Sequence, residues 1–159
     1  MIVVDTCIIV HLYNETTCTA KAQELFAINP YWQVPSMWQE EYANVLAKLA
    51  RTSTCTHEEV LNRFQYTVQQ LQESQHELKP IEALEYAMRY QRSAYDAHFI
   101  ALAEKLNTWL ITEDKEVLQK CKTRALSIAQ YIQKQQSKWD GSKAGNTFSA
   151  LGTKSVTCL

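Results

Sequence analysis

Glycine is nearly missing from this sequence, and so are the chemistries that depend on it. The three glycines of the 159 residues are Gly141, Gly145 and Gly152, all close to the C-terminus. Phosphate cradles of the P-loop and dinucleotide-binding type need glycine where the backbone closes on the ligand, so nucleotide binding of those kinds is excluded. Charge of one sign is also scarce. Sixteen basic and 17 acidic residues leave a net charge of −1, which gives no bulk attraction to nucleic acid; such a partner must be met by a local patch. No apolar run approaches a membrane span, and the apolar start has no basic leader, so we expect neither a membrane segment nor a signal peptide. The five cysteines are odd in number and widely spaced, without C-x-x-C or Cys/His metal patterns, which points to a reduced, cytoplasmic setting. No Ser/His/Asp arrangement stands out.

Against these absences stands an ordinary globular composition. Hydrophobic residues make up 46% and charged residues 21%, enough for one domain with a real core. Ile2-Val3-Val4 is a short β-branched run that suits a strand covered on both faces. A helix follows over Cys7–His11, and another over Thr19–Ile28 after a Thr-rich stretch suited to capping. A strand is expected around Gln33–Val34, then helices over Met37–Arg51 and Glu58–Glu73, the second capped by Thr54 or Thr56. Glu77–Lys79 is a weak strand candidate. Helices over Ile81–Tyr90, Tyr95–Leu106 and Asp114–Lys122 alternate with a strand at Thr108–Thr112. Ala125–Ile128 is the last strand candidate, leading into a helix over Ala129–Gln133. Strands alternating with helices argue for an α/β fold with a doubly wound parallel sheet. Residues 1–133 form the domain. Residues 134–159 are polar, carry four lysines against one aspartate, and read as a disordered tail.

Several acids fall where ligands bind in such folds, beyond the carboxyl ends of strands. Asp5 closes the first strand, with Thr6 beside it; the competing reading is a helix cap. Thr112-Glu113-Asp114 repeats the pattern after Trp109-Leu110-Ile111, and there Asp114 suits a cap equally well. In the helix over Met37–Arg51, Trp38, Tyr42, Val45, Leu46 and Leu49 form one apolar stripe. At about 100° per residue, Glu40 points away from that stripe while Glu41 lies at its border, with Asn44 one turn on. Asp96 sits at the edge of the buried face set by Phe99, Ile100, Ala103 and Leu106, where a charge is costly unless paired. His98 lies off that face and reads as solvated. Carboxylates without histidine or thiolate partners suit hard cations, Mg²⁺ or Mn²⁺, the ions of phosphodiester chemistry.

Taken together, Asp5-Thr6, Glu41-Tyr42-Ala43-Asn44-Val45-Leu46, Ser93-Ala94-Tyr95-Asp96-Ala97 and Thr112-Glu113-Asp114 resemble the PIN-domain ribonucleases, and most of all the VapC-type toxins of toxin–antitoxin pairs. The resemblance runs from about Ile2 to Ile132. It implies a three-layer α/β/α PIN-like fold around a parallel sheet of about five strands, and a cytoplasmic homodimer neutralised by an antitoxin protein. It also implies that Asp5, Glu41, Asp96 and Asp114 are the catalytic, Mg²⁺- or Mn²⁺-binding acids of an RNA-cleaving endoribonuclease. Thr6, Asn44 and Thr112 are the supporting residues, and Glu113 is a neighbouring alternative for the fourth acid. Cys7 departs from the family, which often has Asn there. In the family, the helices that match Met37–Arg51 and Glu58–Glu73 form a groove for the antitoxin; the competing reading spends both apolar stripes in the core. The alternative function is a catalytically inactive PIN-like module that binds RNA or a protein. A receiver-type phosphoacceptor would need paired acids after the first strand and an acid ending the third, and neither is seen.

Overall fold

The computed structural model describes residues 1–52 and 55–144, with side chains through residue 137. Five short strands make one parallel sheet: β1 (Ile2–Val4), β2 (Trp32–Pro35), β3 (Gln75–His76), β4 (Leu110–Ile111) and β5 (Ala125–Leu126), in the spatial order β3-β2-β1-β4-β5. Eight helices flank the sheet among the described residues: α1 (Thr6–Tyr13), α2 (Thr19–Ile28), α3 (Trp38–Thr52), α4 (His57–Leu71), α5 (Pro80–Tyr90), α6 (Ala94–Lys105), α7 (Lys115–Lys120) and α8 (Ile128–Ala144). The result is the three-layer α/β/α arrangement expected from the alternating pattern.

The strand order positions the site. From β1 the chain builds outward through β2 and β3, then returns to lay β4 on the other flank of β1. Order therefore reverses between β1 and β4, and a crevice opens beyond their carboxyl ends. Ile2, Val3 and Val4 are all buried, so both faces of β1 are covered by helices. Each such side chain contributes about 1.5–3 kcal/mol by leaving water. The register is pinned through the end of the strand: Val3 N–H donates to Trp109 O at 2.9 Å, and Asp5 N–H donates to Ile111 O at 2.9 Å.

Helix α3 is held in rotation by its core face. Trp38, Tyr42 and Leu46 are buried. The Tyr42 hydroxyl lies 3.2 Å from Thr67 Oγ1 and accepts a 3.2 Å hydrogen bond from Asn14 Nδ2, while Arg63 Nη1 donates to Asn14 Oδ1 at 3.1 Å. This buried polar network ties α1, α3 and α4 together and leaves α3 one orientation. With Tyr42 turned into the core, Glu41 must face about 100° away, toward the end of β1.

The elements depart from the sequence reading in three places, the third strand, Leu61 and the end of α8, while the expected cap at Thr56 is found. The third strand is Gln75–His76 and not 77–79, because Val34 and Pro35 of β2 pair there. Thr56 supplies a full capping box for α4 with Glu59, worth about 1 kcal/mol; Thr54 lies outside the described residues. Leu61, placed on the apolar side of α4, is 62% exposed, and the buried side of that helix is completed by Thr67. Finally, α8 continues to Ala144, past the expected boundary at residue 133. Lys134 Nζ lies 5.1 Å from the centre of the Trp109 ring, a cation–π contact that favours the first added turn. Residues 145–159 of the expected tail lie outside the described residues.

Candidate active site

The crevice beyond β1 and β4 is a cleft of about 600 Å³. Asp5, Glu41, Asp96 and Asp114 all line it, as do Thr6, Asn44 and Glu113. The four acids come from four places in the chain: the end of β1, the first turn of α3, the first turn of α6 and the N-cap of α7. Lys48 is the one base among the lining residues, two turns beyond Glu41 on the same side of α3. Glu40 is exposed and outside the cleft, as the helical wheel requires.

Asp5 stands at the N-cap of α1 but its side chain makes no capping hydrogen bond. Instead its Oδ2 accepts a 2.5 Å hydrogen bond from Thr112 Oγ1. The same Thr112 oxygen accepts from Asp114 N–H at 3.0 Å, so one buried hydroxyl sets the distance between two strand-end acids. Burial raises the pKa of Asp5, chiefly by desolvating its charge; the Thr112 hydroxyl opposes the shift and nearby Asp96 adds to it. Glu41 is treated similarly. Its Oε2 accepts a 2.6 Å hydrogen bond from Thr6 Oγ1, yet desolvation outweighs that bond and lifts the carboxyl to about 7, helped by Asp5 and Asp96. Cys7, also in the cleft, has its thiol pushed far up by burial and by Asp5, so it is an inert neighbour, not a thiolate. Its sulfur lies 3.9 Å from Thr112 Oγ1.

The other two acids are held differently. Ser93 caps α6 through the Asp96 N–H at 3.1 Å, which fixes Asp96 in the first turn. Asp96 Oδ2 then accepts from Arg92 Nε at 3.1 Å and from Nη2 at 2.9 Å. Asp114 does cap α7, as the competing reading held: its Oδ1 accepts from Glu116 N at 2.8 Å and Val117 N at 2.9 Å. Its second oxygen lies 3.6 Å from Arg92 Nη2. The cap and the site share one side chain. Glu113 Oε1 accepts from Ile128 N at 3.0 Å at the start of α8. Both Glu113 and Asp114 line the cleft, Glu113 with one oxygen committed to α8 and Asp114 with one oxygen committed to α7.

Arg92 was missed in the sequence. The signal that could have found it is its position four residues before Asp96, the spacing of a helical ion pair. Asp96 was recognised as a charge in need of a partner, and Arg92 is that partner.

The donor set is all oxygen and suits a hard divalent cation. Two of its carboxyls, Asp5 and Glu41, are driven toward the neutral form, chiefly by burial and in smaller part by the neighbouring acids, and a cation would favour their charged form. As they stand, no three His, Cys, Asp or Glu side chains among the described residues are gathered closely enough to hold a metal ion. Asp96 and Asp114 are instead drawn toward Arg92. The residues fit the ion in type and place, and closing on it would take side-chain movement within the cleft.

A family model for the PIN domain matches residues 2–122. No curated protein matches the chain. Seven chains of solved structures do, among them the crystal structure of PAE2754 from Pyrobaculum aerophilum. That structure is 20% identical, has a TM-score of 0.63, and pairs 80% of this chain with 83% of its own; it supports the fold. The chain belongs to the PIN domain family.

Proposed function

We propose that this chain is a Mg²⁺- or Mn²⁺-dependent endoribonuclease, the toxin of a VapC-type toxin–antitoxin pair. The observation that carries the reading is the meeting of Asp5, Glu41, Asp96 and Asp114 in one cleft at the switch point of the sheet. When bound, a divalent ion supplies an activated water and neutralises charge developing on the phosphate. Asp5 and Asp114, spaced by Thr112, and Asp96 and Glu41 from the helix walls are the ligands. Burial lifts the Glu41 carboxyl to about 7 in the cleft without an ion, and a bound cation would favour its ionised form, as its role as a ligand requires. Thr6 and Thr112 orient Glu41 and Asp5, and Asn44 and Lys48 line the approach that an RNA phosphate would take. Lys48 matters because the rest of the charge in the cleft is negative.

The toxin reading also implies a homodimer in the cytoplasm and a protein antitoxin. Trp38, Tyr42 and Leu46 of α3 are spent in the core, but α4 leaves Leu61 and Tyr66 exposed at 62% and 56% beside half-buried Phe64. Those residues offer an apolar helix partner a surface. Co-purification with the product of the adjacent gene tests this, and folded protein that captures nothing would exclude it.

The decisive experiment is RNA cleavage by wild type and Asp5→Asn, with EDTA and then Mn²⁺ added back. Cleavage abolished by EDTA, restored by Mn²⁺ and absent in Asp5→Asn is the expected result. A folded wild type that cleaves no RNA under any of these conditions leaves the inactive binding module in its place.

A further inference from the structure

Arg92 follows the last turn of α5 and reaches three acids on two other helices or their caps. Its guanidinium contacts Asp96 Oδ2 by two nitrogens, lies 3.6 Å from Asp114 Oδ2, and forms an ion pair with Glu116. The Arg92 side chain is 12% exposed and that of Asp96 23%, so this pair is screened less than the one with Glu116, which is 68% exposed. Yet Arg92 does not line the cleft; it meets the acids from the corner between α5 and α6. Lys120 Nζ donates to Gln91 O at 2.9 Å and holds the same corner against α7. This placement argues against a substrate contact, which would need the guanidinium in the open cleft as Lys48 is.

We propose that Arg92 is a resident counter-cation that occupies the charge position of the divalent ion on Asp96 and Asp114, and yields those carboxylates when the ion enters. This rests on the metal-dependent reading given above. The physical reason is that crowded carboxylates need positive charge whether or not a metal is present. Asp96 and Asp114 obtain it from Arg92. Glu116, 68% exposed and outside the cleft, gives the guanidinium a partner to keep after Asp96 has turned to the ion. Arg92 is thus a positioning residue, and it sets the threshold of metal binding: one positive charge beside two ligands weakens the attraction of the site for a second, divalent one.

The test is Mn²⁺ affinity by calorimetric titration, paired with thermal melts, on wild type, Arg92→Gln, Arg92→Lys and Asp5→Asn. Arg92→Gln should bind Mn²⁺ about tenfold more tightly, the scale set by removing one nearby charge. It should melt lower than wild type without metal, and gain more from saturating Mn²⁺. Arg92→Lys keeps the charge and should bind within about threefold of wild type. If Arg92→Gln does not fold without metal, Mn²⁺ should restore a cooperative melt; failure to do so overturns the inference, as does affinity equal to or weaker than wild type in a folded variant. The two readings fail separately. If wild type binds no Mn²⁺, or Asp5→Asn binds it equally well, the metal-dependent reading itself is lost. If wild type binds and Asp5→Asn does not, but Arg92→Gln gains nothing, only the role of Arg92 is lost.

Discussion

The two sides of the cleft meet the same electrostatic problem by different means. Asp5 and Glu41 each receive one short hydrogen bond from a threonine hydroxyl and lie deep enough that desolvation dominates. Asp96 and Asp114 instead receive a guanidinium, and Asp114 also receives two backbone N–H groups. A hydroxyl orients a carboxylate but adds no charge, so the first pair stays drawn toward protonation. An arginine places a positive charge beside the second pair. The cleft is therefore neutral-leaning on one side and salt-bridged on the other, and on the metal-dependent reading proposed above a cation would compete with protons on the first side and with an arginine on the second.

Removing Glu41 should distinguish the sides most sharply. Glu41→Gln keeps the size and a hydrogen bond to Thr6, so the fold should persist while RNA cleavage falls about a hundredfold or more. Glu40→Gln, one residue earlier but solvated, should stay within a few-fold of wild type, because an exposed charge contributes little. If the two variants exchange these outcomes in a cleavage assay, the facing of α3 has been misassigned.

The bridge between strand ends is the next point of attack. Thr112→Val removes a hydroxyl that serves Asp5 and Asp114 at once. Cleavage should drop about tenfold, the size of one lost net hydrogen bond, and Mn²⁺ affinity should fall with it. Unchanged metal affinity would mean that Thr112 does not set the spacing of the two acids.

Metal should also stabilise the fold, and more through the arginine-held side than its exposure suggests. Thermal melts with millimolar Mn²⁺ should rise in wild type and rise less in the Asp96→Asn/Asp114→Asn double variant. An equal rise in both would place the ion elsewhere.

The smallest effect is the pH dependence of stability without metal. Glu41 in the folded protein holds its proton up to about 7, against an ordinary value of 4.5. Between those values the folded state binds more protons than the unfolded chain, so stability falls as pH rises through that window. Glu41→Gln should flatten the slope, and saturating Mn²⁺ should do the same by favouring the ionised form. A slope of the opposite sign, or one that Glu41→Gln leaves intact, would show that the coupling belongs to another group.

Much of this site was legible because it depends on local pattern. Apolar β-branched runs ending in Thr and Asp marked β1 and β4, and the cleft forms where a reversal in strand order puts such ends side by side. The apolar stripe of α3 separated Glu41 from Glu40 because helical geometry alone fixes their angular offset. What was hidden depends on tertiary contact. Thr112 was visible as a strand-end hydroxyl, but its bond to Asp5 joins the ends of two neighbouring strands far apart in sequence. Arg92 stood at helical spacing from Asp96, while its contacts to Asp114 and Glu116 exist only after α7 has docked. Glu113 could not be told from Asp114, and its bond to Ile128 N forms only in the folded chain. The extension of α8 was missed because its polar residues carry no apolar stripe; the contact of Lys134 with Trp109 comes from outside the helix.

The corner that delivers Arg92 is made without glycine. Gln91 ends α5 in the left-handed region at φ 51°, ψ 50°, where a side-chain-bearing residue costs about 1 kcal/mol or more. A glycine there would remove that cost and also let the backbone sample many other headings. Glutamine narrows the choice. The next residue leaves the turn along a single direction, and that direction points a guanidinium at two carboxylates. The corner works as an aiming device: its stiffness, more than the length of the arginine, decides where the charge arrives. Gln91 takes no part in those ion pairs, yet its turn fixes the place from which the charge reaches Asp96 and Asp114.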